Sequence, residues 1–209
     1  MKKMKKTGNY IILSSPSGAG KTTLAKKLIK KNKNIELSVS YTTRKKRPNE
    51  TDKKDYHFIS EREFTNLKKK KFFIEWARVF NNYYGTSLKK VKQLNKIGKD
   101  ILFDIDWQGS RKIKKKLGNK VISIFILPPS KKELIKRLKN RAQDSTNIVN
   151  ERLSSFNSEL SHWKEYEHVL INDNLQLATK QISSIIKEKK TKVLSKNYLI
   201  KFITSLKKN

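Results

Sequence analysis

The chain has 209 residues, the size of one domain or of a core domain that carries inserted subdomains. It holds 50 Lys and Arg against 18 Asp and Glu, a formal charge of +32, which excludes an acidic disordered protein. The 35% apolar content argues against wholesale disorder, and the absence of Cys excludes disulfides and thiolate metal sites.

The charge has two possible origins. A surface this basic is typical of proteins that bind nucleic acid or another anionic surface. However, the chain has 42 Lys and only 8 Arg, and Lys, Asn and Ile together make 80 of the 209 residues. All three residue types have A/T-rich codons, so an A/T-rich genome would also coat a protein with Lys. Composition alone leaves both origins open.

No apolar stretch approaches the roughly 20 residues of a membrane helix, and the apolar run behind the basic start is too short for a signal peptide. We therefore expect a soluble, cytoplasmic protein without a membrane partner. His57, His162 and His168 lack metal-ligand spacing, and we expect them to be structural or superficial.

The first half of the chain begins with a strand-loop-helix pattern. Residues 9–14 predict a buried strand, residues 15–20 a loop of small side chains and residues 21–31 an amphipathic helix. Further along, short strands are predicted near 38–40 and 56–59, helices over 61–70 and 88–97, and extended segments over 72–79 and 82–86.

The second half repeats the alternation of apolar strands and helices. Strands are predicted over 101–106, 121–127 and 169–171, and helical segments over 130–160, with a joint near 142–146, and from 175 onward. Ser130 is a predicted helix cap with Glu133 as its capping-box partner. The alternation predicts an α/β fold with a parallel sheet. Residues 37–90 break it and predict an inserted subdomain, whereas the Lys runs at 68–71 and 114–116 predict solvated faces.

The segment Ser15-Pro-Ser-Gly-Ala-Gly-Lys-Thr22 lies between a predicted strand and a predicted helix, the context of a P-loop. Gly18 and Gly20 let backbone N–H groups turn toward a phosphate chain, which the helix N-terminus also attracts. Lys21 can reach the β- and γ-phosphates, and the Thr22 hydroxyl can ligate Mg²⁺. Ser15 replaces the usual first glycine. The predicted ATP-binding residues are Ser15, Pro16, Ser17, Gly18, Ala19, Gly20, Lys21 and Thr22.

Three further motifs are more specific: T-T-R-x-x-R-P at 42–48, N-Y-Y-G-T at 82–86 and D-I-D-x-Q-G at 104–109. With them, the chain resembles guanylate kinases, most strongly the stand-alone bacterial enzymes, over residues 8–190. The resemblance implies a P-loop nucleoside monophosphate kinase fold and transfer of the γ-phosphoryl group of ATP to GMP (or dGMP) with Mg²⁺. It also implies a core of 8–36, 98–133 and 165–208, a GMP-binding subdomain of 37–90 and a helical lid of 134–162.

The acceptor phosphate carries about two negative charges near neutral pH. Arginine offers bidentate donors to such a group, and tyrosine hydroxyls can add further hydrogen bonds. The resemblance assigns this clamp to Arg44, Arg47, Tyr56 and Tyr84.

Guanine presents two neighbouring donors, N1–H and the N2 amino group, which one carboxylate can accept together. Glu75 is the expected reader, and by resemblance Ser40, Thr86 and Asp106 line the same pocket. Adenine has an acceptor at N1 and would leave the carboxylate unpaired. Asp104 ends an apolar strand, as a Walker-B-type carboxylate would, and is expected to hold Mg²⁺ through water.

The lid resemblance assigns catalytic roles to Arg137, Arg141 and Arg152, beside Lys21. Arg137 and Arg141 are four residues apart and would share one helical face. No general base is needed, because the acceptor oxygen already belongs to an anion.

Two other function classes remain possible. A guanylate-kinase-like binding module would keep the fold and lose catalysis, but Lys21, Thr22 and the lid arginines are all present. A nucleic-acid binder would use the net charge, but no basic motif interleaved with aromatics supports it, and nucleic acid is not an expected partner. The sequence predicts ATP and GMP as ligands, and either a monomer or a homo-oligomer.

Overall fold

The computed structural model describes residues 7–140, 146–188 and 194–208. The strands are β1 (Tyr10–Ser14), β2 (Ile35–Leu37), β3 (Tyr41–Thr42), β4 (His57–Phe58), β5 (Phe73–Val79), β6 (Asn82–Ser87), β7 (Asp100–Asp104), β8 (Val121–Leu127) and β9 (His168–Ile171). The helices are α1 (Lys21–Lys31), α2 (Glu61–Lys69), α3 (Leu88–Lys96), α4 (Trp107–Leu117), α5 (Lys131–Lys139), α6 (Thr146–Ser161), α7 (Leu175–Glu188) and α8 (Lys196–Lys208).

The larger sheet has five strands in the order β2-β7-β1-β8-β9. The β2–β7 and β8–β9 pairs are parallel, with Ile35 opposite Asp100 and Ile124 opposite His168. Every residue of β8 is buried, which explains why this strand is apolar in the sequence except at Ser123. The predicted α/β fold with a parallel sheet is confirmed.

The smaller sheet has four strands in the order β4-β3-β6-β5. Its β5–β6 hairpin closes on Phe80 and Asn81, both with positive φ, the backbone conformation that a two-residue turn requires. The ring of Phe64 on α2 stacks on Phe73 and Tyr83, with centroids 4.5 and 5.3 Å away, and so covers the hairpin.

Two predicted strands differ from the structure. Residues 38–40 lie between β2 and β3. The last hydrogen bond of the ladder runs from the Ser38 N–H to the Leu102 carbonyl, and the Ser38 hydroxyl donates to the same carbonyl. The strand predicted over 101–106 ends at Asp104. The Asp106 side chain instead accepts the Gly109 N–H at 2.9 Å and caps α4, a helix that the sequence reading did not predict.

The predicted cap at Ser130 is present, since its hydroxyl accepts the Glu133 N–H at 3.1 Å. Glu133 does not complete a capping box, because its carboxylate accepts from Arg137 Nε at 2.9 Å. The complete capping box is at Ser60 and Glu63, at the start of α2. Most of the predicted helix joint near 142–146 lies outside the described residues.

The chain forms two compact units. The first contains the described residues up to Ile12 together with Asn32–Val121, and the second contains the described residues of Leu13–Lys31 and Ile122–Asn209. This division differs from the predicted core, subdomain and lid, which remain a prediction. Among the helices of the described residues, none combines the length and apolar character needed to cross a membrane.

Asp100 is a buried anchor of the first unit. Its carboxylate accepts from the Asn9 N–H at 2.7 Å, from Asn9 Nδ2 at 2.9 Å and from Asn34 Nδ2 at 3.1 Å. Asp100→Ala leaves these donors without acceptors, and we expect a loss of roughly 2 kcal/mol of stability, measured by urea denaturation. Asp173→Ala, at an exposed carboxylate, is the control. Equal midpoints for the two variants would contradict the anchor role.

Candidate active site

The phosphate-binding loop connects β1 to α1 in the second unit. Gly18 and Gly20 have φ of +88° and +94°, which L side chains rarely adopt. A Cβ at Gly20 would also lie 2.4 Å from Asn172 Nδ2, so no larger residue fits there. Lys21 and Thr22 are the first two residues of α1, where the free N–H groups of a helix attract anions.

Two side chains hold this loop from outside it. Asn172, buried after β9, donates from Nδ2 to the Ala19 carbonyl at 2.8 Å. Arg137 of α5 donates from Nη1 to the same carbonyl and from Nη2 to the Asn172 carbonyl, both at 3.4 Å. The structure therefore brings the predicted catalytic Arg137 to the predicted ATP-binding loop.

Helix α6 contributes a carboxylate to the same loop. Glu159 accepts the Ser17 N–H at 2.9 Å, a contact that joins residues 142 positions apart and that the sequence reading missed. Arg152, seven residues earlier on α6, is buried with 8% of its surface exposed. The third predicted lid arginine, Arg141, lies outside the described residues.

The predicted phosphate clamp lies in the first unit and is organised by a residue that the sequence reading did not single out. Glu50 accepts from Arg44 Nη2 at 2.7 Å and Nη1 at 3.0 Å, and from the Arg47 N–H at 2.9 Å. Burial alone would raise the pKa of Glu50, but these hydrogen bonds outweigh it and hold the pKa below its usual value. Glu50 therefore stays ionised and fixes both arginines.

The two clamp tyrosines lie beside Arg44. The Arg44 guanidinium carbon is 5.4 Å from the centre of the Tyr56 ring, and the Tyr56 and Tyr84 rings are 6.1 Å apart. Loss of solvent, together with the negative charge of Asp104, raises the pKa of Tyr56, so its hydroxyl keeps its proton. Arg44, Tyr56 and Tyr84 thus form one cluster of hydrogen-bond donors.

Glu75 on β5 is a buried carboxylate with 4% of its surface exposed. Thr86 donates its hydroxyl to Glu75 Oε1 at 2.6 Å. On the other side is the first turn of α4, where a Cβ at Gly109 would lie 2.9 Å from Glu75 Oε2 and 3.4 Å from Asp106 Oδ1. Burial raises the pKa of Glu75 to about 7, against the opposing effect of the Thr86 hydrogen bond.

The remaining predicted residues are Ser40 and Asp104. Ser40 is buried, and its carbonyl accepts the His57 N–H at 2.9 Å, which ties β4 to the loop before β3. Asp104 is the last residue of β7. Within the part of the chain that the structure describes, no cluster of three His, Cys, Asp or Glu could hold a metal by itself.

The two units carry complementary chemistry. One presents a glycine-turned loop at a helix N-terminus with Arg137 beside it, and the other presents paired arginines, two tyrosines and a buried carboxylate. An α/β fold whose glycine-rich loop connects a strand of the sheet to a helix N-terminus is typical of P-loop phosphotransferases.

The comparisons with known proteins name the family. The guanylate kinase family model matches residues 7–189. Guanylate kinases from Bartonella henselae and Rickettsia prowazekii are each 50% identical to the chain, over 184 and 190 residues. These matches cover 88% and 91% of this chain and 82% and 96% of the relatives. The crystal structure of guanylate kinase from Anaplasma phagocytophilum superposes with a TM-score of 0.75 at 36% identity, covering 91% of this chain and 90% of that one. The chain belongs to the guanylate kinase family.

The raised pKa of Glu75 has a consequence for stability. Between about pH 4.5 and 7 the folded protein holds a proton on Glu75 that the unfolded chain has released, so stability falls as pH rises through this window. Glu75→Gln removes that dependence. We therefore expect the melting temperature of the variant minus that of the parent to increase as pH rises from 5 to 8. Thermal denaturation of both proteins measures this difference.

The control is Glu61→Gln, at an exposed position on α2, which should follow the parent at every pH. A difference between Glu75→Gln and the parent that stays constant from pH 5 to 8 would contradict the assigned protonation.

Proposed function

We propose that the chain carries out the reaction of its family, ATP + GMP ⇌ ADP + GDP, with the roles given below to its own residues. The observation that carries the proposal is the buried carboxylate of Glu75 in the same unit as the arginine and tyrosine cluster. Together they offer two acceptor atoms for a guanine edge and several donors for a monophosphate. dGMP carries the same base and phosphate and is included as a substrate.

On the donor side, residues 15–22 bind the ATP phosphates through backbone N–H groups, and Lys21 follows the transferred group as a mobile cation. Arg137 already contacts the loop backbone, so it can neutralise charge that develops beside the loop. Arg152 serves the same purpose from α6. Arg141 keeps its predicted role as the third lid cation.

On the acceptor side, Glu50 accepts from the guanidinium of Arg44 at 2.7 Å and from the guanidinium of Arg47 at 3.4 Å, and so holds both groups in place before GMP arrives. The phosphate of GMP carries more charge than one carboxylate, so it can compete for the same donors. Tyr56 and Tyr84 add hydroxyl hydrogen bonds. The acceptor phosphate is thereby oriented, which supplies much of the catalysis in a reaction that needs no general base.

Glu75 recognises the guanine base. Its ionised carboxylate accepts from guanine N1–H and the N2 amino group, and these two donors compensate the cost of burying the charge. Thr86 occupies Oε1 from one side and fixes the carboxylate plane, while Asp106 caps the helix that packs against Oε2. A base with an acceptor at N1 leaves the buried carboxylate without a donor and binds weakly.

The Thr22 hydroxyl and the Asp104 carboxylate are each a hard oxygen ligand of the kind that Mg²⁺ prefers, and each is proposed by itself as a ligand, Asp104 through water. When bound with ATP, Mg²⁺ neutralises phosphate charge. A cytoplasmic location and a monomeric or homo-oligomeric state likewise remain predictions.

Glu75→Gln tests the base reader. The amide turns a donor toward guanine N1–H or N2, so we expect kcat/KM for GMP to fall about a hundredfold or more. The KM for Mg-ATP should not change, because the phosphate loop is in the other unit. A coupled assay of ADP formation, with a GMP-free control, measures both constants.

The matched control is again Glu61→Gln, which should behave as the parent in this assay. If Glu75→Gln kept parental kcat/KM for GMP, another residue would be the guanine reader.

A further inference from the structure

Three side chains of α4 donate to three carbonyls of β5. Gln108 Nε2 donates to the Arg78 carbonyl at 3.1 Å, Lys112 Nζ donates to the Trp76 carbonyl, and Lys116 Nζ donates to the Ile74 carbonyl at 2.5 Å. The donors are spaced four residues apart, and the acceptors are spaced two residues apart. We call this set the α4 ladder.

The spacing follows from the geometry of the two elements. Four residues of an α-helix rise about 6 Å, and two residues of a β-strand extend about 6.6 Å. One helical turn therefore keeps step with each pair of strand residues, and flexible side chains absorb the small difference. The order of the contacts is reversed along the two segments, so α4 runs antiparallel to β5.

The ladder covers a sheet edge. β5 is the last strand in the order β4-β3-β6-β5, and β6 lies on its other side. An edge strand presents backbone groups that need partners, and an edge left open can shift or pair wrongly. In addition, Lys112 Nζ lies 4.4 Å from the centre of the Trp76 ring, which holds the side chain as well as the carbonyl of that residue.

Glu75 lies between the two lysine contacts, because Ile74 and Trp76 are its chain neighbours. The same helix also meets the Glu75 carboxylate at Gly109 and is capped by Asp106. One helix thus fixes the backbone on both sides of Glu75 and forms one wall around its carboxylate. The two ammonium groups also favour the ionised form of Glu75 and oppose the rise of its pKa caused by burial.

We propose that the α4 ladder of Gln108, Lys112 and Lys116 positions Glu75 and so sets the preference of the acceptor site for guanine. The three residues are positioning residues, which act through Glu75 without touching the nucleotide. This inference rests on the proposed role of Glu75 as guanine reader.

The test compares three lysine-to-methionine variants of the full chain. Lys112→Met and Lys116→Met remove one ladder contact each and keep most of the alkyl stem. Lys115→Met is the matched control, because Lys115 is exposed, lies on the same helix and loses the same charge. Lys112→Arg keeps both a donor and the charge and serves as the rescue variant.

We expect the two ladder variants to raise the KM for GMP about tenfold, with the KM for ATP unchanged, and we expect Lys112→Arg to restore most of it. In Lys112→Met, ionised Glu75 loses a neighbouring positive charge, so its pKa should rise. The pH profile of kcat/KM for GMP should therefore move to higher pH. Lys115→Met should show neither effect.

A double-mutant cycle separates positioning from general destabilisation. In the Glu75→Gln background, the effect of Lys112→Met on GMP should disappear, since there is no carboxylate left to position. The positioning role of the α4 ladder is contradicted if Lys112→Met has the same KM for GMP as Lys115→Met. It is also contradicted if Lys112→Met raises the KM for GMP and the KM for ATP equally and lowers the melting temperature. If Glu75→Gln alone leaves GMP kinetics unchanged, the base-reader role has failed instead.

Discussion

In the proposed function, the first unit depends on one carboxylate, Glu75, which is buried and must nevertheless be ionised to accept hydrogen bonds from guanine. Burying a charge costs free energy unless hydrogen bonds and nearby charges compensate it. Thr86 donates a hydrogen bond to Glu75, and burial raises the pKa of Glu75 to about 7. In the proposed function, the N1–H and the N2 amino group of guanine supply further donors to this carboxylate. A base that lacks those donors would leave the buried charge uncompensated, which is how the proposed site rejects it.

Several residues of the first unit shape the surroundings of the Glu75 carboxylate. Gly109 leaves room for the carboxylate beside α4, Asp106 starts that helix, and the α4 ladder holds β5 at its edge. A small part of the net charge of +32 has a structural role in this unit. Most of the described lysines are exposed, but Lys112 and Lys116 of α4 donate to backbone carbonyls on both sides of Glu75.

The sequence predicts the parts of the site that rest on local patterns. The phosphate loop is predictable because strand, glycine turn and helix are contiguous in the chain, and Arg44 and Glu75 are recognisable from family motifs. Helix α4 was missed because only one large apolar residue, Ile113, is buried on it, so its amphipathic stripe is weak. The contacts of Glu50, Glu159 and Asn172 depend on residues brought together by folding, such as the 142 positions that separate Ser17 from Glu159.

The most direct test of this account is the protonation of Glu75, followed by carbon-13 NMR of labelled glutamate carboxyl carbons with and without GMP. The Glu75→Gln variant assigns the signal. We predict that the Glu75 carboxyl titrates with a pKa near 7 in the free protein and that GMP lowers this pKa well below neutrality. An ordinary pKa that does not change when GMP binds would contradict the claim that a buried carboxylate reads the base.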